Sequence, residues 1–170
     1  MSVVEASTAE QTMELGRRLG RWVRAGDVLV LTGELGAGKT TLTRGLGEGM
    51  GVAGEVTSPT FVISRVHPSA GEGPALVHVD TYRLGSRHEV DEIDLDTDLA
   101  GAVLVAEWGA GLVEQLTDRW LEVTVRRATG RDVDDADQVT RQVEVAAVGE
   151  WQGHEARLAE LSALLRRALP

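Results

Sequence analysis

Apolar positions along the chain follow two periods. Leu15, Leu19, Trp22 and Val23 recur at helical intervals, and Ser7 and Glu10 ahead of them have capping-box spacing. The chain is therefore expected to open with an amphipathic helix, broken by Ala25-Gly26-Asp27. Val28 to Thr32 is a short continuous apolar run, the pattern of a strand buried on both faces. A glycine-rich turn leads from it into a second helix, Lys39 to Gly47. Thr57-Ser58-Pro59-Thr60 is a polar stop before an expected strand over Phe61 to Val66, and His67 to Pro74 is turn-like.

Ala75 to Val79 and Ala102 to Ala106 are two more buried-looking strands, ending at Asp80 and Glu107. Between them Ser86 and Glu89, again with capping-box spacing, introduce a short acidic helix. Trp120 to Arg127 and Gln138 to Val148 alternate around the acidic loop Asp132 to Asp137, which predicts an antiparallel hairpin. His154 to Leu169 returns to the helical period. With no internal repeat and no long linker, residues 1–170 read as one α/β domain. Its sheet is expected to be mostly parallel, flanked by helices, with an antiparallel C-terminal edge hairpin.

Composition narrows the chemistry. The chain has no cysteine, which removes disulfides, thiolate metal sites and thiol nucleophiles together. Its apolar runs are too short to span a bilayer and it shows no export signal, so a cytoplasmic location is expected. With 27 acids against 17 bases and a net charge of -10, it lacks the basic face of a free-standing nucleic-acid binder. Lys39 is the only lysine among those 17 bases. A compact ammonium fits between phosphate oxygens where a guanidinium is too large, so this position is marked as one where the ammonium itself matters.

The segment Gly33-Glu34-Leu35-Gly36-Ala37-Gly38-Lys39-Thr40 matches G-x-x-x-x-G-K-[ST] in full, between a strand and a helix. In such a loop backbone N–H groups wrap phosphates and the helix N-terminus adds partial positive charge beneath them. Lys39 would reach the β- and γ-phosphates of ATP and the Thr40 hydroxyl would ligate Mg²⁺. If the apolar strands run parallel, Asp80 and Glu107 emerge at the same edge, where ligands of open α/β sheets bind. There they could hold Mg²⁺ or orient an attacking water.

Other candidates carry less. Asp94, Asp96 and Asp98 imitate the start of a calcium loop, but Leu99 replaces its glycine and Val105 its closing glutamate. His67, His78, His88 and His154 have no ligand spacing, and His78 reads as lining the sheet. Trp22 and Trp120 read as core. Arg44, Arg65 and Arg83 could meet a γ-phosphate or equally form surface ion pairs. A small-molecule kinase would share this loop but needs an arginine-bearing lid, which is not evident. A nucleotide-dependent scaffold without useful turnover is a further alternative, and a GTPase lacks its N-K-x-D motif.

Taken together, the phosphate loop through Thr41, Ser58-Pro59-Thr60-Phe61, His78-Val79-Asp80-Thr81-Tyr82-Arg83-Leu84 and Glu107-Trp108 resemble one family in order and spacing. It is the bacterial tRNA threonylcarbamoyladenosine biosynthesis ATPase family (TsaE, also YjeE), and the resemblance runs from the first helix to about Arg131. It implies a P-loop NTPase fold and a slow ATPase subunit acting with TsaD and TsaB partner subunits. Together these modify the adenosine beside the anticodon, so that tRNA is met indirectly through the complex. It also implies ATP contacts from Glu34 to Thr41 and from Arg131, metal ligation by Thr40 and Glu107, and catalysis by Lys39, Asp80 and Glu107. Ser58, Pro59, Thr60 and Trp108 would be switch elements. Thr81, Gly109 and the Asp132 to Asp137 loop depart from the family pattern.

Overall fold

The computed structural model describes residues 1–59, 64–81, 101–109, 116–127 and 140–170. In chain order its elements are β1 (Ser2–Ala6), α1 (Ala9–Trp22), β2 (Val28–Thr32), α2 (Lys39–Met50), β3 (Ser64–His67), β4 (Ala75–Asp80), β5 (Ala102–Glu107), β6 (Arg119–Arg127), β7 (Arg141–Gly149) and α3 (Glu155–Leu165). The seven strands form one sheet in the order β1-β7-β6-β2-β5-β4-β3. Strands β6, β2, β5 and β4 run parallel to their neighbours, while β3, β7 and β1 each pair antiparallel.

Strand alternation builds two buried layers. Leu29 and Leu31 of β2, Leu76 of β4 and Val103 and Val105 of β5 face a cluster that includes Leu15, Leu19, Leu42, Leu46, Leu161 and Leu165 from α1, α2 and α3. Val28, Val30, Val77, Val79, Leu104 and Ala106 form a second cluster on the other face, with Trp120 packed against it. A parallel strand buried on both faces carries a near-continuous apolar run, which is why β2, β5 and, despite His78, β4 were legible. Trp22 lies in the first cluster as expected, whereas Trp120 is half-buried at the margin of the second.

Four expectations change. The chain opens not with a helix but with β1, which pairs along β7 from Ser2↔Val145 to Ala6↔Arg141. The hairpin β6–β7 is therefore internal to the sheet, and β1, not β7, forms that edge. The first helix is capped one residue later than Ser7 and Glu10: the Gln11 N–H donates to Thr8 Oγ1 at 3.1 Å, and Gln11 Oε1 accepts from the Ser7 N–H at 2.7 Å. The second helix runs past Gly47 to Met50. The expected helix after Ser86, the Asp94 to Asp98 run, His88, Arg83, Thr60, Phe61, Arg131 and the Asp132 to Asp137 loop lie outside the described residues.

Helices α1 and α2 cross at very short range. A Cβ on Gly16 would stand 2.1 Å from the Leu42 carbonyl oxygen, and one on Gly45 would stand 2.0 Å from that of Met13. Glycine is required at this crossing because backbone meets backbone. The contact fixes α2, and with it the loop that precedes it, against the sheet.

Candidate functional site

The loop between β2 and α2 turns through glycines with positive φ, 73° at Gly36 and 114° at Gly38. Both positions need an unusual backbone, and at Gly38 the buried Arg141 also leaves no room for a side chain. A Cβ on Gly36 would meet the Arg127 guanidinium at 2.9 Å, and one on Gly38 would meet Arg141 Nε at 2.8 Å. α2 begins at Lys39, so its N-terminal amides and their partial positive charge open into the space below the loop. This geometry is an anion cradle.

That space is a cavity of about 560 Å³. Its walls bring together the loop residues Glu34, Leu35, Gly36, Gly38, Lys39, Thr40 and Thr41, the strand-end acids Asp80 and Glu107, and Ser58, Trp108 and Arg141. Ala37, also expected to contact ATP, is buried, and its carbonyl is turned to Arg141. Pro59 is buried outside the cavity lining. Asp80 and Glu107 are register partners at the C-terminal ends of the adjacent parallel strands β4 and β5. The link between these ends is reinforced by Thr81, whose N–H and Oγ1 both donate to the Glu107 carbonyl, at 3.0 and 2.9 Å.

Lys39 is turned onto its own loop. Nζ donates to the carbonyls of Gly33 at 2.8 Å and Glu34 at 3.1 Å, and lies 4.6 Å from the centroid of the Trp108 ring. Burial holds this amine below the ordinary lysine value, an effect the nearby Glu107 and Asp80 charges oppose. Trp108 adopts a left-handed backbone, φ 62°, unusual for a bulky residue, and its N–H donates to the Leu31 carbonyl at 2.9 Å. That conformation swings the ring over the lysine as β5 ends. The same ring also borders a neighbouring cavity of about 720 Å³, which Arg126 and Arg127 line from β6.

Behind the acids is a buried histidine. His78 is fully enclosed and its Nε2 stands 3.0 Å from Glu107 Oε1. Nearby, His67 on β3 is held below its ordinary value, chiefly by burial.

Two arginines that sequence reasoning passed over hold the loop from outside. Arg127 and Arg141 face each other across the β6–β7 register. Arg127 Nη2 donates to the Gly36 carbonyl at 2.7 Å, and Arg141 Nε donates to that of Ala37 at 3.1 Å. Arg141 is buried and lines the cavity. No spacing in the sequence signals this pair, because its meaning arises only once β7 folds back beside the loop. Arg44 and Arg65, weighed above as phosphate partners, are engaged elsewhere: Arg44 with the Val56 carbonyl and Glu55, Arg65 with Thr57. Neither lines the cavity.

The donor set suits a hard cation held together with phosphate. Among the described residues no group of three or more His, Cys, Asp and Glu is placed to hold a metal alone. The cavity offers oxygen donors instead, among them the Thr40 hydroxyl and the strand-end carboxylates of Asp80 and Glu107. Mg²⁺ is bound in this way, through one or two protein ligands with substrate phosphates and water completing its shell.

A mixed sheet with a parallel core, whose glycine-rich loop opens a helix beside two strand-end acids, is the P-loop NTPase fold. Comparison with known proteins narrows it further. The family model described as "Threonylcarbamoyl adenosine biosynthesis protein TsaE" matches residues 6–135, and the chain belongs to that family. A Streptomyces coelicolor protein named tRNA threonylcarbamoyladenosine biosynthesis protein TsaE is 61% identical over 138 residues, covering 81% of this chain and 90% of the relative. Relatives of the same name from Mycobacterium tuberculosis and Bacillus subtilis are 51% identical over 130 residues and 38% identical over 120 residues. These cover 72% and 70% of this chain, and 77% and 73% of the relatives. The crystal structure of Bacillus subtilis YdiB superposes with a TM-score of 0.68 at 29% identity, covering 95% of this chain and 94% of that one. Among the described residues, no helix is long and apolar enough to cross a membrane.

Proposed function

We propose that this protein binds Mg·ATP in the 560 Å³ cavity and hydrolyses it slowly, in the service of threonylcarbamoyl modification of the adenosine beside the anticodon in tRNA. On this reading it acts on a TsaD–TsaB partner complex and meets tRNA only through that complex. The observation that carries the proposal is the convergence of Lys39, Thr40, Asp80 and Glu107 on one cavity at the mouth of an anion cradle. Family membership supplies the biological setting.

Each residue then has a physical task. The loop amides and Lys39 bind the β- and γ-phosphates, for which Lys39 leaves the carbonyls of Gly33 and Glu34. Thr40 and Glu107 hold Mg²⁺, which supplies charge neutralisation on the phosphates when bound. Asp80, beside Glu107, orients water for attack. Thr41, Ser58 and Trp108 line the phosphate end, and Arg141 supplies a buried cation beside the loop. Arg131, implied by resemblance as an ATP contact, lies outside the described residues; among the described residues Arg141 is the arginine that lines the cavity.

ATP hydrolysis by the pure protein, with and without TsaD and TsaB subunits, tests the whole. Turnover is expected to be slow alone and faster in the complex. Lys39→Ala should abolish ATP binding in calorimetry, and Glu107→Ala should chiefly remove Mg²⁺-dependent turnover. Wild-type turnover in both variants would exclude this site.

A further inference from the structure

We infer that His78 is a positioning residue that fixes the carboxylate of Glu107 for its metal, an inference that rests on the proposed reading of the cavity. The two side chains come from adjacent parallel strands. His78 is two residues before Asp80 on β4, so both project from the same face, and Asp80 is the register partner of Glu107. His78 thus lies beneath the two acids, fully enclosed, with Nε2 at 3.0 Å from Glu107 Oε1.

The hydrogen bond has a direction. A carboxylate oxygen accepts, so Nε2 carries the hydrogen and His78 donates. The opposite ring nitrogen, Nδ1, is buried with no hydrogen-bond partner among the described residues. The donor therefore faces the acid by construction of the fold.

A glutamate side chain has three rotatable bonds, and a metal needs its carboxylate in one orientation. A buried donor on Oε1 locks the carboxylate plane and reserves Oε2 as the oxygen for the cavity. This is the work that hydrogen-bonded partners of metal ligands do elsewhere, where their loss costs about 10–100-fold in metal affinity. A sheet-lining role alone would be filled as well by an apolar residue. Leu76, on the same face of the same strand, shows what that choice looks like.

The test compares two polar substitutions that differ in reach. In His78→Gln the side-chain amide nitrogen lies as many bonds from the backbone as Nε2 does; in His78→Asn it lies one bond short. Both variants are first checked for cooperative thermal unfolding and for metal-free ADP binding by calorimetry. The readout is the Mn²⁺ concentration that half-maximally slows release of a fluorescent ADP analogue from the full chain. That midpoint should rise about 10–100-fold in His78→Asn and stay near the parent value in His78→Gln. In a Glu107→Gln background, His78→Asn should add nothing further. Equal midpoints for parent and Asn variant would overturn the positioning role alone. So would a Gln variant as weak as the Asn variant. A parent protein whose ADP release ignores Mn²⁺ would overturn both this inference and the metal-dependent part of the proposed function.

Discussion

Lys39 shows how much one residue can report when it is the chain's sole lysine. Its amine is held low by burial. Between that lowered value and the ordinary 10.5, the unfolded chain binds a proton that the native one has lost. Stability should therefore rise with pH across that window, and the penalty for burying the ammonium is present below it. Amine acetylation read by mass spectrometry isolates this group from all but the N-terminus. Half-reaction at Lys39 is expected at lower pH than in a free lysine peptide, and added ADP should protect it; labelling indifferent to ADP would count against the proposed site. A second residue-scale case is structural. Asp27 at the foot of β2 accepts from both nitrogens of the Arg157 fork, with Nη1 at 2.9 Å, and that guanidinium also lies 4.1 Å from the Trp22 ring centroid. Arg157→Ala leaves a buried carboxylate without its charge partner and should cost about 3–5 kcal/mol in urea unfolding.

At the level of elements, the outcome depends on whether the stabilising contact is local. β2, β4 and β5 were readable because both faces are buried and the run is apolar, interrupted only by His78 in β4. α1 was readable from its stripe, but its cap was placed one residue early because Ser7–Glu10 and Thr8–Gln11 both fit the spacing. Only the observed Gln11 N–H to Thr8 Oγ1 bond separates them. β1 gave no adequate signal: five residues with Val3 exposed and Ala6 buried become a strand only through pairing with β7. The α1–α2 crossing was also silent, since a glycine in a helix looks merely unfavourable until its neighbour's carbonyl is known to stand where a Cβ would be. Gly45→Ala should therefore destabilise despite its better helix propensity, by about 1–3 kcal/mol or more. Thermal unfolding is the check, and a stabilised variant would show that the two helices can separate at little cost.

For the whole molecule, charge and topology make different kinds of statement. A net charge of -10 on 170 residues implies weak attraction to a polyanion. Fluorescence anisotropy with labelled tRNA should show the isolated chain binding more weakly than the non-specific range of about 10⁻⁴–10⁻⁶ M at physiological salt. Tight binding by the chain alone would remove the need to route tRNA through partners. Topology says where chemistry can be placed. The phosphate loop, its helix and the three central strands could be read from residues alone, because backbone turns, apolar runs and side-chain periods are set by neighbours in the chain. The arrangement around the cavity could not. Asp80 opposite Glu107, His78 beneath them, and Arg127 beside Arg141 are pairings across strands, set by sheet register and long-range packing. A single sequence carries no measure of which distant residues will become neighbours.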